Sequence, residues 1–380
     1  MAIDLRSLGF KLSQYRRQLL LSLDDVSYAT GIYASRLDSI EKGQTEPTGD
    51  EILILADNYR CDFKFFISND QVASFEQTDA LYRAHGADFT KEDRLAIQDF
   101  LYLCETEAFL MQELGQRRTQ FDFTPTGTYF KGQGATAAER FRVALGHSAK
   151  EVSRDIYDEF RSVGVHVFRR KLGNSDISGL FIMHPVAGKC ALINLSEDVY
   201  RQRFSAAHEM AHAIFDYAQG VSVSFDRTHG LDMLEVRANR FASCFLMPPA
   251  FLALLPDPTR WSEADAIHWA NELRVSCHAL AIALKEAKLI DEPTANRIQQ
   301  MRVPRESKIE PELPNSLTTS QRNRKARLLE LGLSDFYVGL CFDAFSNGII
   351  SVGRLAEALL SSQTELTELA SIYGRSLHGH

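Results

Sequence analysis

Apolar residues fall at Leu5, Leu8, Leu12, Tyr15 and Leu19, a three-to-four-residue repeat that predicts an amphipathic helix over residues 5–18. Ser22-Leu-Asp-Asp25 offers an N-cap and an acidic first turn for a second, short helix running to residue 29. Gly31 lies in the next turn, where a positive φ is needed, and residues 33–43 read as a third helix. A fourth is expected at 48–59, with 63–67 packing its end. Short helix, glycine turn, short helix is helix-turn-helix grammar. After polar turn material at 68–85, residues 90–116 form one long helical pattern with Leu95, Ile97, Phe100, Leu101, Leu103, Phe109, Leu110 and Leu114 as its apolar positions. At 1.5 Å per residue it spans about 40 Å, which suits a spacer or dimerisation arm, with packing inside one domain as the alternative. Residues 119–134, rich in glycine, proline and threonine, read as a loop.

The second half of the pattern mixes periods. Helices are expected at 135–145 and 150–163, then strands at 165–169, 178–184 and 189–195, the last two joined by Pro185-Val-Ala-Gly-Lys189 as a hairpin turn. A helix through His208–His212 follows, then one at 233–246 that Pro248 and Pro249 stop. Residues 302–314 are proline-rich and charged and read as a linker. Four short helical patterns close the chain at 320–331, 334–346, 351–361 and 364–373. The expected fold class is α+β, predominantly α, in four parts: residues 1–68, a helical connector or dimerisation region at 69–134, a unit with a small β-sheet at 135–301, and a linker with a C-terminal helical module at 302–380.

Candidate chemistry concentrates in Phe204-Ser-Ala-Ala-His208-Glu209-Met-Ala-His212. Two histidines four apart on a helix point the same way, and each can offer a neutral imidazole to one cation. Glu209, beside the first, is placed to act on water at that cation. This is the HExxH signature of zinc peptidases. Zinc in such a site takes a third protein ligand and keeps its fourth position open. Helix 233–246 supplies a candidate: it buries Leu234, Ala238, Phe241, Ala242 and Phe245 and projects Glu235 from its other side. Asn239, four residues on, shares that face and could accept a hydrogen bond from a ligand histidine, fixing its tautomer. His229, in Asp226-Arg-Thr-His-Gly230, is the first candidate for a second oxyanion donor, and Tyr217 is its rival. His166 and His184 sit in strand patterns and are expected to be structural.

Composition narrows the setting. Of 380 residues, 45% are hydrophobic and 24% charged, and no run of about eighteen apolar residues exists, so no membrane span is expected. The N-terminal stretch lacks a signal-peptide core. Six cysteines without a CxxC pair suit a reducing cytoplasm. The net charge of −8 gives no global drive toward nucleic acid, and residues 1–60 hold seven Lys/Arg against nine Asp/Glu. Contact with DNA must therefore rest on a few placed cations and specific groups.

Two resemblances draw these readings together. The string from LSLDDVSYATGIYASRLDSIEKGQTEPT to LADNYRCDFKFF resembles the XRE, or Cro/CI-type, repressor-like helix-turn-helix domain. That resemblance implies a five-helix DNA-binding unit. Tyr33, Ala34, Ser35, Arg36 and Ser39 would face the major groove, with Lys11, Arg16, Arg17 and the Gln44–Thr45 loop placed for phosphates. DISGL (176–180), INL (193–195), RQRFSAAHEMAHAIF, EVRANRFASCFLMP and VSCHALAIAL (275–284), in this order, resemble the ImmA/IrrE family of zinc metallopeptidases. It implies a gluzincin-like site with Zn2+ held by His208, His212 and Glu235, and with Glu209 as general base. Ala211 stands where such sequences often have glycine. The C-terminal module resembles tails on some such proteins and suits packing, a partner or oligomerisation. Together these imply a cytoplasmic DNA-binding transcriptional regulator, a homodimer on double-stranded operator DNA, that cuts a regulatory protein such as a helix-turn-helix repressor. The alternative is a non-proteolytic repressor or antitoxin whose peptidase-like domain senses or docks a partner.

Overall fold

The amphipathic repeat of the first helix closes a small core in the computed structural model, which describes residues 3–61, 63–68, 78, 81–82, 86, 88–116, 118–225 and 232–377. Helix α1 (Leu5–Gln18) buries Leu8, Leu12 and Tyr15. Helix α2 (Leu23–Thr30) opens on a capping box between Ser22 and Asp25 and ends at Gly31, whose φ of 75° needs no Cβ. Helices α3 (Ala34–Glu41), α4 (Gly49–Asn58, capped by Thr48 and Glu51) and α5 (Phe63–Ile67) complete the unit around Leu37, Ile40, Leu55, Tyr59 and Phe66. Most of the polar stretch at 68–85 lies outside the described residues.

Helix α6 (Lys91–Glu113) does not project as an arm. Ile97, Phe100, Leu103 and Cys104 are fully buried, and so are Asp93 and Glu107. Asp93 accepts the Gly173 N–H at 2.7 Å, and Glu107 pairs with His166 Nδ1 at 2.8 Å. Its apolar stripe is therefore used inside the chain, as the alternative of packing within one domain has it; only Phe109, at 46% exposure, stays outside. The N-terminal unit docks on it through Arg94 Nη1 to the Gln18 carbonyl (2.8 Å) and Gln98 Nε2 to the Arg60 carbonyl (3.0 Å).

Helix α7 (Phe130–Ala144) starts inside the stretch expected to be a loop. Gly134 is there for close approach: a Cβ on it would lie 2.5 Å from the Arg237 carbonyl oxygen. Helix α8 (Ile156–Ser162) is shorter than expected because Asp155, not Lys150, caps it. Strands β1 (Val165–Arg170), β2 (Ile177–His184) and β3 (Gly188–Asn194) match expectation closely. They are followed by α9 (Val199–Phe215) and by β4 (Val221–Phe225), a strand the sequence reading did not anticipate. The sheet runs β1-β3-β2-β4, with β1 parallel to β3 and the other pairs antiparallel.

Both faces of this sheet are covered. Val165, Val167, Phe181, Ala191 and Ile193 face one core, together with Ala207, Ala211 and Ile214 of α9. Phe168, Leu180, Ile182, Cys190 and Leu192 face a second core with α6. This is why the strands read as nearly continuous apolar runs rather than as alternation. Helices α10 (Met233–Leu246), α11 (Pro249–Leu252), α12 (Glu263–Glu272), α13 (Cys277–Glu286) and α14 (Glu292–Gln299) build the first core. Helices α15 (Thr319–Glu330), α16 (Asp335–Ser346), α17 (Val352–Ala358) and α18 (Gln363–Ile372) close the second. The stretch at 302–314 is tied down rather than loose: Arg169 forks onto Glu310 at 2.7 and 2.9 Å, and Glu312 accepts the Asp335 N–H at 2.8 Å. Among the described residues no helix is long and apolar enough to cross a membrane, and the six cysteines are free thiols.

Candidate metal centre

Helix α9 starts at Asp198, whose carboxylate accepts the Tyr200 N–H, and buries almost its whole length. The 3.6-residue period sets His208 above His212, with ring centroids 4.9 Å apart. Helix α10, drawn close to α7 at Gly134, brings Glu235 of its first turn to the same point. His208 Nε2 and His212 Nε2 are 3.1 Å apart, and Glu235 stands 3.2 Å from the first and 3.3 Å from the second. These three residues are the group able to hold a metal ion among the described residues.

The outer nitrogens decide what the inner ones can do. His208 Nδ1 donates to Asn239 Oδ1 at 3.0 Å, and His212 Nδ1 donates to Asp216 Oδ2 at 2.9 Å. With Nδ1 protonated on both rings, both Nε2 lone pairs point inward at each other and at a carboxylate. That arrangement repels itself unless a cation lies between. The two imidazole nitrogens are 3.1 Å apart and each faces a different oxygen of Glu235, Oε2 at 3.2 Å from His208 and Oε1 at 3.3 Å from His212, a donor set of the kind that zinc takes.

Charge gives the same answer. Glu209, Glu235 and Asp216 place three carboxylates here against one guanidinium, Arg237, which holds Asp216 Oδ1 at 2.5 Å. A dication balances the surplus. With only protons to bind, the same field acts on His212: burial would lower its pKa, but hydrogen bonds to Asp216 and Glu235 and the charge of Glu209 raise it to about 10. For Glu235, burial alone would raise the carboxyl, and the two histidines override this and hold it well below the usual range.

Glu209 is fully buried, and burial pushes its carboxyl above the usual range. Among the described residues no hydrogen bond to either oxygen is formed, and the Ser224 hydroxyl of β4, close enough to temper that rise, is itself without a partner there. It reaches this position because residue 179 on β2 is glycine: a Cβ there would stand 2.9 Å from Glu209 Oε1. A buried, unsatisfied carboxylate next to three converging donors is expensive to maintain and is poised for proton transfer.

The other expected residues are placed unevenly. Tyr217 lies just past α9, 47% exposed, with Lys189 over its ring at 5.0 Å, and no contact joins it to the three donors. His229 lies outside the described residues. His166 and His184 are buried in β1 and β2, where they pair with Glu107 and Glu105. In the N-terminal unit, Tyr33 is 79% exposed, Ser35, Arg17 and Gln44 are exposed, and Ala34 and Ser39 are half-buried. Ser39 Oγ donates to the Ser35 carbonyl at 3.0 Å. Three expected phosphate or base contacts are engaged within the unit instead: Arg16 forks onto Glu41 (2.6 and 2.7 Å), Arg36 is held by both oxygens of Glu51, and Lys11 donates to the Phe65 carbonyl at 2.7 Å. The sequence reading missed Asp216, Arg237 and Gly179. Asp216 stands four residues after His212, a spacing that signals a shared face; the other two depend on which elements cross.

The family model described as the IrrE N-terminal-like domain, a peptidase family, matches residues 160–285. That span holds the sheet, α9 and Glu235, and it marks this part of the chain as metallopeptidase-like. No curated protein matches the chain.

Proposed function

We propose that the chain is a zinc-dependent metalloendopeptidase of limited scope, coupled to a DNA-reading N-terminal unit, and that it cleaves a regulatory protein such as a helix-turn-helix repressor. The observation that carries the reading is the convergence of His208, His212 and Glu235 beside the unsatisfied carboxylate of Glu209. Zinc held by those three would supply a Lewis acid that lowers the pKa of water and polarises a peptide carbonyl. Glu209, with its raised pKa, accepts the proton of the attacking water and delivers it to the leaving amine. Asn239 and Asp216 keep the histidines in the tautomer that binds, and Arg237 holds Asp216 in place. DNA reading falls to the exposed Tyr33, Ser35 and Gln44, with Arg17 free for a phosphate.

The test pairs metal analysis with cleavage. Purified chain should carry about one zinc, and Glu209→Gln should keep it while losing cleavage of a co-expressed repressor by at least ~100-fold. Unchanged cleavage by Glu209→Gln sinks the catalytic assignment. Tyr33→Ala, run in parallel, should abolish a gel shift of the chain's own upstream region; an unaltered shift removes these residues from DNA reading.

A second reading has its own support. Glu209 is fully buried and His212 is 2% exposed, so a peptide reaches the centre only after the surrounding elements open. A sensor or docking domain without turnover needs no such opening. Stoichiometric zinc with no cleavage of any neighbouring repressor would favour it.

A further inference from the structure

Apart from the metal centre, a groove of about 530 Å³ runs along the outer face of α1, bounded by the end of α3 and by Tyr82 and Arg94. Its charge is one-sided. Among the described residues Arg6, Arg17 and Arg94 line it, with Lys42, which pairs with Asp38 at 2.5 Å, against a single carboxylate, Glu41, already committed to Arg16 at 2.6 Å. The surplus stands out in a chain of net charge −8.

Arg94 is the least ordinary member. It is 8% exposed, and its Nη atoms donate to the carbonyls of Gln18 (2.8 Å) and Gly86 (3.0 Å), with the guanidinium 4.3 Å from the centre of the Tyr82 ring. Among the described residues its buried Nε has no partner and no ion pair is formed. A buried cation without a counter-ion is costly unless something supplies one. Among the described residues Arg6 and Arg17 likewise form no ion pair, whereas Arg16, Arg36 and Arg60 of the same unit are each matched to a carboxylate. Arginine forks suit phosphate oxygens. Phe10, 60% exposed on the same face of α1, offers a flat apolar surface. The volume lies within the roughly 300–1,000 Å³ of small-molecule sites.

We propose that this groove binds a free nucleoside phosphate, its phosphates on Arg6, Arg17 and the Arg94 side and its base on Phe10. The groove lies at the Glu41–Lys42 end of α3, about 12 Å from the end that carries Tyr33. It is therefore apart from the face expected to read bases and shares with the DNA-contacting groups only Arg17. A ligand seated here would touch both the N-terminal unit and α6, which packs on the sheet, so it could couple the two halves of the chain.

The experiment is equilibrium binding to the full chain with ATP and inorganic phosphate as probes. ATP should bind saturably below about 100 µM. Arg6→Ala with Arg17→Ala should weaken it at least about tenfold, with melting and zinc content unchanged. Phe10→Ala should weaken ATP but leave inorganic phosphate unaffected. Absence of ATP binding up to about 1 mM, or equal binding by the double variant, overturns the proposal. So does a double variant that loses only duplex binding, because the phosphate would then belong to DNA.

Discussion

A methyl group at residue 179 would sit 2.9 Å from Glu209 Oε1 and 3.0 Å from the Leu192 carbonyl oxygen. The carbonyl is fixed by the β2–β3 pairing, so the glutamate must give way. Gly179→Ala is therefore expected to cost about 1–3 kcal/mol in stability and to displace the carboxylate from its place beside the three donors. Melting, zinc content and cleavage measured on one preparation check this. A variant that keeps zinc and cleaves at the parent rate would show that Glu209 does not need that position. Residues of the centre were legible in proportion to how local their geometry is. His208 with His212, and Glu235 with Asn239, are each paired by helical spacing, and the family resemblance joins the two pairs. Gly179 and Arg237 owe their roles to β2 passing under α9 and to α10 packing against the end of α9, which no periodicity encodes.

Elements with chemical punctuation at their ends were read to within a residue or two. Helices α2, α4 and α6 each open on a Ser or Thr with an acid three residues on. The errors came where punctuation pointed the wrong way: the glycines of 130–134 serve close packing, not a loop, and β4 is five residues of Val-Ser alternation beside a polar turn. Glu51 shows what such an end is worth. It accepts the Thr48 N–H at 2.7 Å and grips Arg36, and the Arg36 guanidinium foremost holds its carboxyl down at about 2, below the usual 4.5. A depressed carboxylate adds stability that is complete above its unfolded pKa and is lost as pH falls through its folded one. Glu51→Gln keeps a capping acceptor but loses the ion pair, so the cost at pH 7 is expected to be at most about 1 kcal/mol. The gap between the two melting curves should close between pH 4.5 and 2. A gap that does not change with pH would mean the pair contributes nothing.

At the scale of the whole molecule, the sheet is shared property. One face carries the core behind the metal centre, and the other is covered by α6 and the C-terminal helices. The family match ends at residue 285, and the sequence pattern places a linker at 302–314, so both suggest that a chain ending near 301 would retain the centre. Packing argues otherwise. Such a chain would lose Glu310 from the buried Arg169 and strip Tyr337, Val338, Phe342 and Leu355 from the far side of Phe168, Leu180 and Leu192. A fully buried apolar side chain is worth about 1.5–3 kcal/mol, so the loss of several together is comparable with the 5–15 kcal/mol that holds a domain folded. With β2 no longer packed on both sides, Gly179 ceases to be a fixed floor for Glu209. Truncation after residue 301 is accordingly expected to give a chain that exposes apolar surface, melts without cooperativity and holds no stoichiometric zinc, as read by dye binding, calorimetry and metal analysis. A monodisperse fragment with one zinc would make the C-terminal helices an accessory. Otherwise they are part of the frame that aims α9 at α10.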